Sequence, residues 1–398
     1  MRHLAEALWI LVKTGLIAGT IALGSCATAG VILDVAPDRL PDTYMAEAPS
    51  NLDRETAKTL LQSEIYGPVI SPSDVSVLHH RIIDPKALNG SATLEEWRVE
   101  AGYGGASRPL DVVLVRPNNV PDAPVIISQN FCPNHAVIPL EGVTAPGESG
   151  FCEGGGLLGH VFGFFFGRYI VTPPLQDIID RGYAIAAIYP SQFIPDSGRD
   201  GDDVLDSLFE RTDRPGALSA WAGLSDLVAD LIEDRHGDRP FIAYGHSRFG
   251  KTALLSAAWF DSIDAAIAHQ SGTLGASRLA DGTGEPLSAL VGSYPHWGNR
   301  KLRRYADTPA RLPVEAKDLL AAISPKPVLL GNARRDTWSD PFGAFVAAQA
   351  AWGDAFGATE PGDFRPEDRY AFWQRPGTHG VVKEDWPAFL DWLDANMK

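Results

Sequence analysis

"YGHSRFGKTALL", residues 244–255, follows the apolar run 240–243 and leads into a run of helix formers. A strand, a sharp turn carrying a serine and then a helix is the layout that exposes a nucleophilic hydroxyl at a strand end. The usual spacing is G-x-S-x-G. Here Gly245 and Ser247 are in place, but the second glycine comes one residue late, at Gly250, and Arg248 follows the serine directly. The turn is either a spoiled elbow or a different one with its own chemistry, and the rest of the chain decides between them.

The surrounding sequence sets bounds. With 398 residues the chain is long enough for one large α/β domain or two smaller ones. Lys+Arg number 34 against 50 Asp+Glu, a net charge of −16. Nucleic acid is therefore excluded as a partner, because it needs a basic surface. Residues 1–29 read as a leader: Arg2 and Lys13 precede the apolar, glycine-rich stretch 14–30, too short for a comfortable membrane span. "LGSC" (23–26) has the form of a bacterial lipobox, which would make Cys26 a lipidated first residue. The alternative is ordinary cleavage after "ATA" (27–29), leaving Cys26 no role. Either outcome places the protein outside the cytoplasm, secreted or periplasmic, with membrane anchoring only through a lipidated Cys26. There the remaining cysteines, Cys132 and Cys152, are free to pair across the loop 134–156, and Cα geometry decides whether they do. Three cysteines, with no H-E-x-x-H and no clustered His/Asp pattern, argue for no metal and no cofactor.

Strand and helix signals alternate. The strands are expected at 110–116, 125–130, 183–189, 240–243, 265–269, 327–331 and 370–374, several of them continuous apolar runs suited to burial on both faces. Helices are expected at 175–180, 219–235, 251–260, 342–351 and 386–396. The alternation predicts an α/β-hydrolase fold: a doubly wound, mostly parallel sheet in a three-layer αβα sandwich. Residues 31–100 read as an N-terminal extension packed on the core, and 101–398 as the catalytic domain, acting as a monomer.

In such folds the loops after the strands carry the chemistry, and a hydrolase triad runs Ser, acid, His. "RRDTWSDP" follows the strand at 327–331 and offers Asp336 and Asp340; "GTHG" follows the strand at 370–374 and offers His379. The expected set is Ser247, Asp336 and His379. Serine needs a base to take its proton, and the base needs an acid to fix its tautomer. Asp340, followed by Pro341, is better suited to capping the next helix. His135 and His160 read as structural.

"GHSRFGK" resembles the G-x-S-R-x-G-K signature of the glucuronoyl esterases, carbohydrate esterase family 15, and their acetyl-xylan-esterase-like relatives. The resemblance runs from about residue 124 to 392 and includes "NFCPNHAV", "HQSGTLGAS", "GEPLSALVGSYPHW", "DTWSDPFGAF" and "RPGTHGVVKEDW". The elbow is thus a different one, not a spoiled one. The resemblance implies an α/β-hydrolase cleaving uronate esters of a glucuronoxylan-type carbohydrate, most plausibly 4-O-methyl-glucuronoyl esters of lignin alcohols. It also implies that Lys251, Glu285 and Trp338 bind the sugar. Arg248, beside the developing oxyanion, would contribute a permanent charge. Many relatives carry a glutamate as triad acid where this chain has Gln270, which cannot ionise; the acid role then falls to Asp336. The aromatic stretch 156–173 reads as core, lid or membrane-facing patch. Rival readings are an acetyl xylan esterase or other carbohydrate carboxylesterase using the same triad, and a non-catalytic carbohydrate-binding protein.

Overall fold

The short central strands are buried at every position: β5 (Ala184–Ile188, AIAAI) is aliphatic throughout, while β4 (Val125–Gln129, VIISQ) and β7 (Ala265–His269, AAIAH) are aliphatic up to their carboxyl ends, where Ser128, Gln129 and His269 stand. Such runs suit the middle of a parallel sheet, with helices on both faces. The computed structural model describes residues 44, 46–145, 152, 166–209, 214–280 and 282–398, all within one compact unit, Leu40–Lys398. The leader, Cys26, His160 and most of the aromatic stretch 156–173 lie outside the described residues.

Nine strands form one sheet in the order β1-β2-β3-β5-β4-β6-β7-β8-β9. The other strands are β1 (Asp74–Ala87), β2 (Ala92–Gly102), β3 (Ser107–Pro117), β6 (Phe241–His246), β8 (Val328–Ala333) and β9 (Tyr370–Arg375). Strands β1, β2, β3 and β5 pair antiparallel in succession, and every pairing from β5 to β9 is parallel. The longer helices are α1 (Arg54–Leu61), α2 (Leu175–Asp180), α3 (Gly198–Leu208), α4 (Ala217–His236), α5 (Arg248–Trp259), α6 (Leu287–Ser293), α7 (Ala316–Ile323), α8 (Pro341–Trp352) and α9 (Asp385–Asn396). Two apolar clusters fill the two faces of the sheet. One gathers residues of α4, α5, α7 and α8, among them Trp221, Phe249, Leu319 and Phe345. The other gathers α2 and α9 through Ile178, Trp386, Phe389 and Leu393. The expected doubly wound, three-layer α/β-hydrolase architecture is what the chain adopts.

All seven expected strands are present, but β1 and β2 were not foreseen. Their sequences, "DVSVLHHRIIDPKA" and "ATLEEWRVEAG", carry too many charges to read as sheet. A continuous antiparallel ladder and the buried Leu94, Trp97 and Val99 of β2 hold them, and ion pairs between strands add to this. Glu96 accepts from Arg81 at 2.6 Å, and Glu95, 1% exposed, takes Arg116 at 2.5 Å, His80 at 2.9 Å and His236 of α4 at 3.2 Å. Parallel register brings the strand ends level: His246 of β6 lies opposite His269 of β7, which lies opposite Gly331 of β8. The segments following β6, β7, β8 and β9 therefore open on one edge of the sheet.

Candidate active site

The first of these segments is the elbow. Ser247 adopts φ 57°, ψ −120°, a conformation a non-glycine residue holds only when its surroundings impose it, at a cost of order 1–3 kcal/mol. Its N–H donates to His269 O at 2.8 Å, and its carbonyl accepts from Gly250 N–H at 2.9 Å, so the turn is locked to the end of β7. The glycines answer the spacing puzzle. A Cβ on Gly245 would lie 2.0 Å from Phe249 O, and one on Gly250 would lie 3.0 Å from His269 O. The late glycine is required by packing on β7 rather than by the turn itself. α5 then starts at Arg248, which leaves the serine at the junction of strand and helix.

His379 lies in the segment after β9, and Asp336 in the segment after β8. The structure brings them together: His379 Nδ1 and Asp336 Oδ2 are 2.6 Å apart. Asp336 is 3% exposed, yet well solvated by protein, since Oδ1 accepts the N–H groups of Trp338 (3.0 Å) and Ser339 (3.1 Å) and Oδ2 accepts the Ser339 hydroxyl. Burial opposes its ionisation, but the His379 hydrogen bond and charge, with the Ser339 donors, outweigh this and hold the carboxyl below its ordinary range. Val381 ties the His379 loop to the described end of the aromatic stretch: its N–H donates to Phe166 O at 2.8 Å, and its carbonyl accepts from Tyr169 N–H at 3.0 Å. The ring of His246 sits 4.6 Å from that of His379. Burial first, then the nearby positive groups, pushes His246 well below its usual pKa and keeps it neutral.

Ser247 and His379 line one cavity of 480 Å³, together with Arg248, Lys251, Gln270, Glu285 and Trp338. Its size is that of a small-ligand site. Of the seven residues singled out in the sequence, only Asp336 stands back from the wall, behind His379. The Arg248 guanidinium pairs with Asp196 and packs 5.3, 5.1 and 5.1 Å from the rings of Phe131, Tyr294 and Trp297. Its buried Nε has no hydrogen-bond partner. Lys251, one turn along α5, is 5% exposed; its Nζ donates to Ser271 O and lies 5.6 Å from the Trp297 ring. Burial brings its pKa down to about 7, only partly offset by the charge of Glu285. Glu285 is half-buried and is placed by its N–H, which donates to Trp338 O at 3.0 Å. Trp338 is 56% exposed, so it is not a core residue, and its ring meets that of His379 edge-on at 5.3 Å.

Some participants escaped the sequence. Asp196 accepts from Arg248, from His296 (3.1 Å) and from Trp297 (2.8 Å), with no local motif to announce it. Tyr294 and Trp297 lie inside "GSYPHW", quoted only for resemblance. Asp340 does cap α8: its side chain accepts Gly343 N–H at 3.0 Å, and also Thr283 N–H at 3.0 Å. His135 does not line the cavity. Cys132 and Cys152 are joined, with Cα atoms 5.5 Å apart. Among the described residues no His/Cys/Asp/Glu group is arranged to hold a metal ion, and no helix is long and apolar enough to cross a membrane.

Comparison with known proteins places this geometry. The family model "Glucuronyl esterase, fungi" matches residues 173–355. Carbohydrate esterase MZ0003, from an unknown prokaryotic organism, is 26% identical over 371 residues, covering 86% of this chain and 84% of its own. A glucuronoyl esterase from Solibacter usitatus superposes with a TM-score of 0.72 at 24% identity, over 87% of this chain and 93% of that one. A promiscuous esterase of carbohydrate esterase family 15 from a marine bacterial metagenome gives 0.71 at 22%, over 91% and 97%. These structural likenesses carry the fold, and the family match and the carbohydrate esterase carry the chemistry. The resemblance read from the motifs therefore stands, and the chain is a carboxylic ester hydrolase of α/β-hydrolase fold, similar to the glucuronoyl esterases.

Proposed function

We propose that the protein is an extracytoplasmic serine esterase that hydrolyses 4-O-methyl-glucuronoyl esters linking glucuronoxylan to lignin alcohols. The observation that carries this reading is the convergence on one cavity of a strained serine, a histidine bonded at 2.6 Å to a buried carboxylate, and a cationic, acidic and aromatic wall. In the mechanism, His379 takes the Ser247 proton as Oγ attacks the ester carbonyl. The oxyanion forms beside the elbow N–H groups and the Arg248 guanidinium, whose Nε has no partner within the protein. Collapse expels the alcohol, which takes the proton from the His379 imidazolium. Water, deprotonated by the same imidazole, then cleaves the acyl-enzyme and releases the uronate. Asp336 fixes the imidazole tautomer and stabilises the imidazolium.

Lys251 and Glu285 offer hydrogen bonds to ring hydroxyls, and the exposed face of Trp338 offers a stacking surface for the sugar. The Cys132–Cys152 bond supports an oxidising compartment, in line with a leader at 1–29. A broader ester range, including acetylated xylan, is the second reading. It is favoured by the size of the cavity and by the likeness to a relative described as promiscuous. Rates on a methyl glucuronate ester and on acetylated xylan, each with wild type and Ser247→Ala, test both. Preference for the uronate ester by a factor of ten or more supports the first reading. Equal rates, or a preference for acetyl, would replace it with the second.

A further inference from the structure

We infer that Gln270 is a positioning residue: its side-chain amide grips the peptide groups on either side of His379 and holds the imidazole in line. The inference rests on the reading of His379 as the catalytic base. Gln270 follows the last residue of β7 and has φ 50°, a left-handed conformation that residues other than glycine seldom take. Its N–H donates to Gly331 O of β8 at 2.7 Å, which anchors the residue between two strands. The side chain, 1% exposed, turns toward the segment after β9. Its Oε1 accepts Gly380 N–H at 2.8 Å, and its Nε2 donates to Thr378 O at 3.5 Å. Those are the residues immediately before and after His379.

That segment has need of support. Gly377 and Gly380 flank the histidine at φ 105° and 152°, and glycine backbones there have many alternatives. A second grip comes from Arg375, which donates to Pro376 O (3.0 Å), Thr378 O (3.3 Å) and Gly380 O (2.7 Å). Arg375 is bound at 2.9 Å to buried Asp385, so its removal would strand a charge and perturb far more than the loop. Gln270 is the cleaner lever. The amide offers an acceptor to one of the two peptide groups and a donor to the other. The two contacts are unequal: the bond accepted from Gly380 is short, while the one donated to Thr378 is at the long limit. Glutamate, which keeps the acceptor, should therefore preserve most of the function, and methionine, which keeps only the shape, should not.

The test is kcat and KM on a methyl glucuronate ester for wild type, Gln270→Glu, Gln270→Met and His379→Ala, with melting temperatures alongside. Misplacement of a base by a fraction of an ångström predicts that Gln270→Met lowers kcat by about tenfold or more. Its KM should change less than its kcat, because the amide is engaged with Thr378 and Gly380 rather than offered to the cavity. Gln270→Glu should recover most of that loss. A Gln270→Met enzyme with wild-type kcat, while His379→Ala is dead, overturns the clamp alone. An active His379→Ala overturns the reading beneath it. Should Gln270→Met fail to fold, Gln270→Ala replaces it, with Glu again expected above Ala in kcat; Ala equal to Glu or above it overturns the inference.

Discussion

The centre of the sheet and its β1–β2 edge are built on opposite terms. In the centre, β4 to β7 are buried and mostly apolar, and β6 and β7 run out into backbone strain, at Ser247 and Gln270, held by main-chain bonds to neighbouring strands. At the edge, β1 and β2 form a long hairpin whose backbone ladder is reinforced by charged side chains, and much of β1 faces solvent, with Leu78 55% exposed. The first arrangement fixes the atoms of the candidate site in place. The second extends the sheet, and part of its stability comes from ion pairs that depend on pH. Changes at the strand ends should therefore alter turnover with little loss of stability, and changes in the hairpin should do the reverse.

The largest effects should come from the candidate site at the carboxyl ends of the strands. Ser247→Ala should remove esterase activity; a residue of more than about a thousandth would exceed what oxyanion and binding effects alone leave. Asp336→Asn should cost on the order of 10⁴ in kcat, with thermal unfolding still cooperative. Near-normal turnover in that variant, with Asp340→Asn inactive, would move the acid to the next turn of the loop.

The hairpin offers the converse. Burial raises the Glu95 carboxyl, but the His236, Arg116 and His80 hydrogen bonds overcome this and bring it from 4.5 down to about 2. A depressed carboxylate stabilises fully above its unfolded-state value and loses that contribution as pH falls through its folded value. Wild type should thus shed roughly 3 kcal/mol between about pH 4.5 and about pH 2 from this site alone. Glu95→Gln should flatten that part of the acid-unfolding curve, measured by denaturant titration at several pH values, while leaving kcat at neutral pH unchanged. A fall in kcat would break the contrast between the hairpin and the strand-end site.

Intermediate in size is Lys251. Its Nζ loses its proton as pH rises through about 7, and with it a charge-assisted bond worth roughly 1.5–3 kcal/mol. KM for a uronate ester should climb about ten- to a hundredfold across that range and in Lys251→Ala, with KM for p-nitrophenyl acetate nearly flat. Parallel changes on both substrates would make the lysine a support of the elbow only. Smallest is Asp340→Ala, which should cost about 1–2 kcal/mol of stability through the lost cap of α8, read from the melting midpoint, with kcat preserved.

The same contrast explains what could be read without coordinates. Short aliphatic runs announced β4 to β9, because burial on both faces leaves a local signature. Glycine and serine at 245 and 247, with Asp336 and His379 after successive strands, announced the candidate site for the same reason. Hairpin β1–β2 was silent, since Glu95 and Glu96 look like surface residues until Arg81, Arg116 and two histidines meet them across space. Asp196 was silent too: its partners lie about 50 and 100 positions away, at Arg248, His296 and Trp297. Gln270 was legible as something that could not be an acid, but not as a grip on Gly380.

The pairing of Val381 with Phe166 and Tyr169 bears on how this enzyme tolerates mutation. Both bonds run through the main chain, so side chains at those three positions are free to vary without breaking them. The exceptions sit beside them. A Cβ on Gly167 would lie 2.2 Å from Val381 O, and one on Gly380 would lie 2.2 Å from Phe166 O. A saturation library across these five positions should therefore show sharply intolerant columns at Gly167 and Gly380, and at Val381, 1% exposed in the core, tolerance of apolar residues only. Within its described part, Gly167 is thus the residue that lets the stretch lie against the histidine loop.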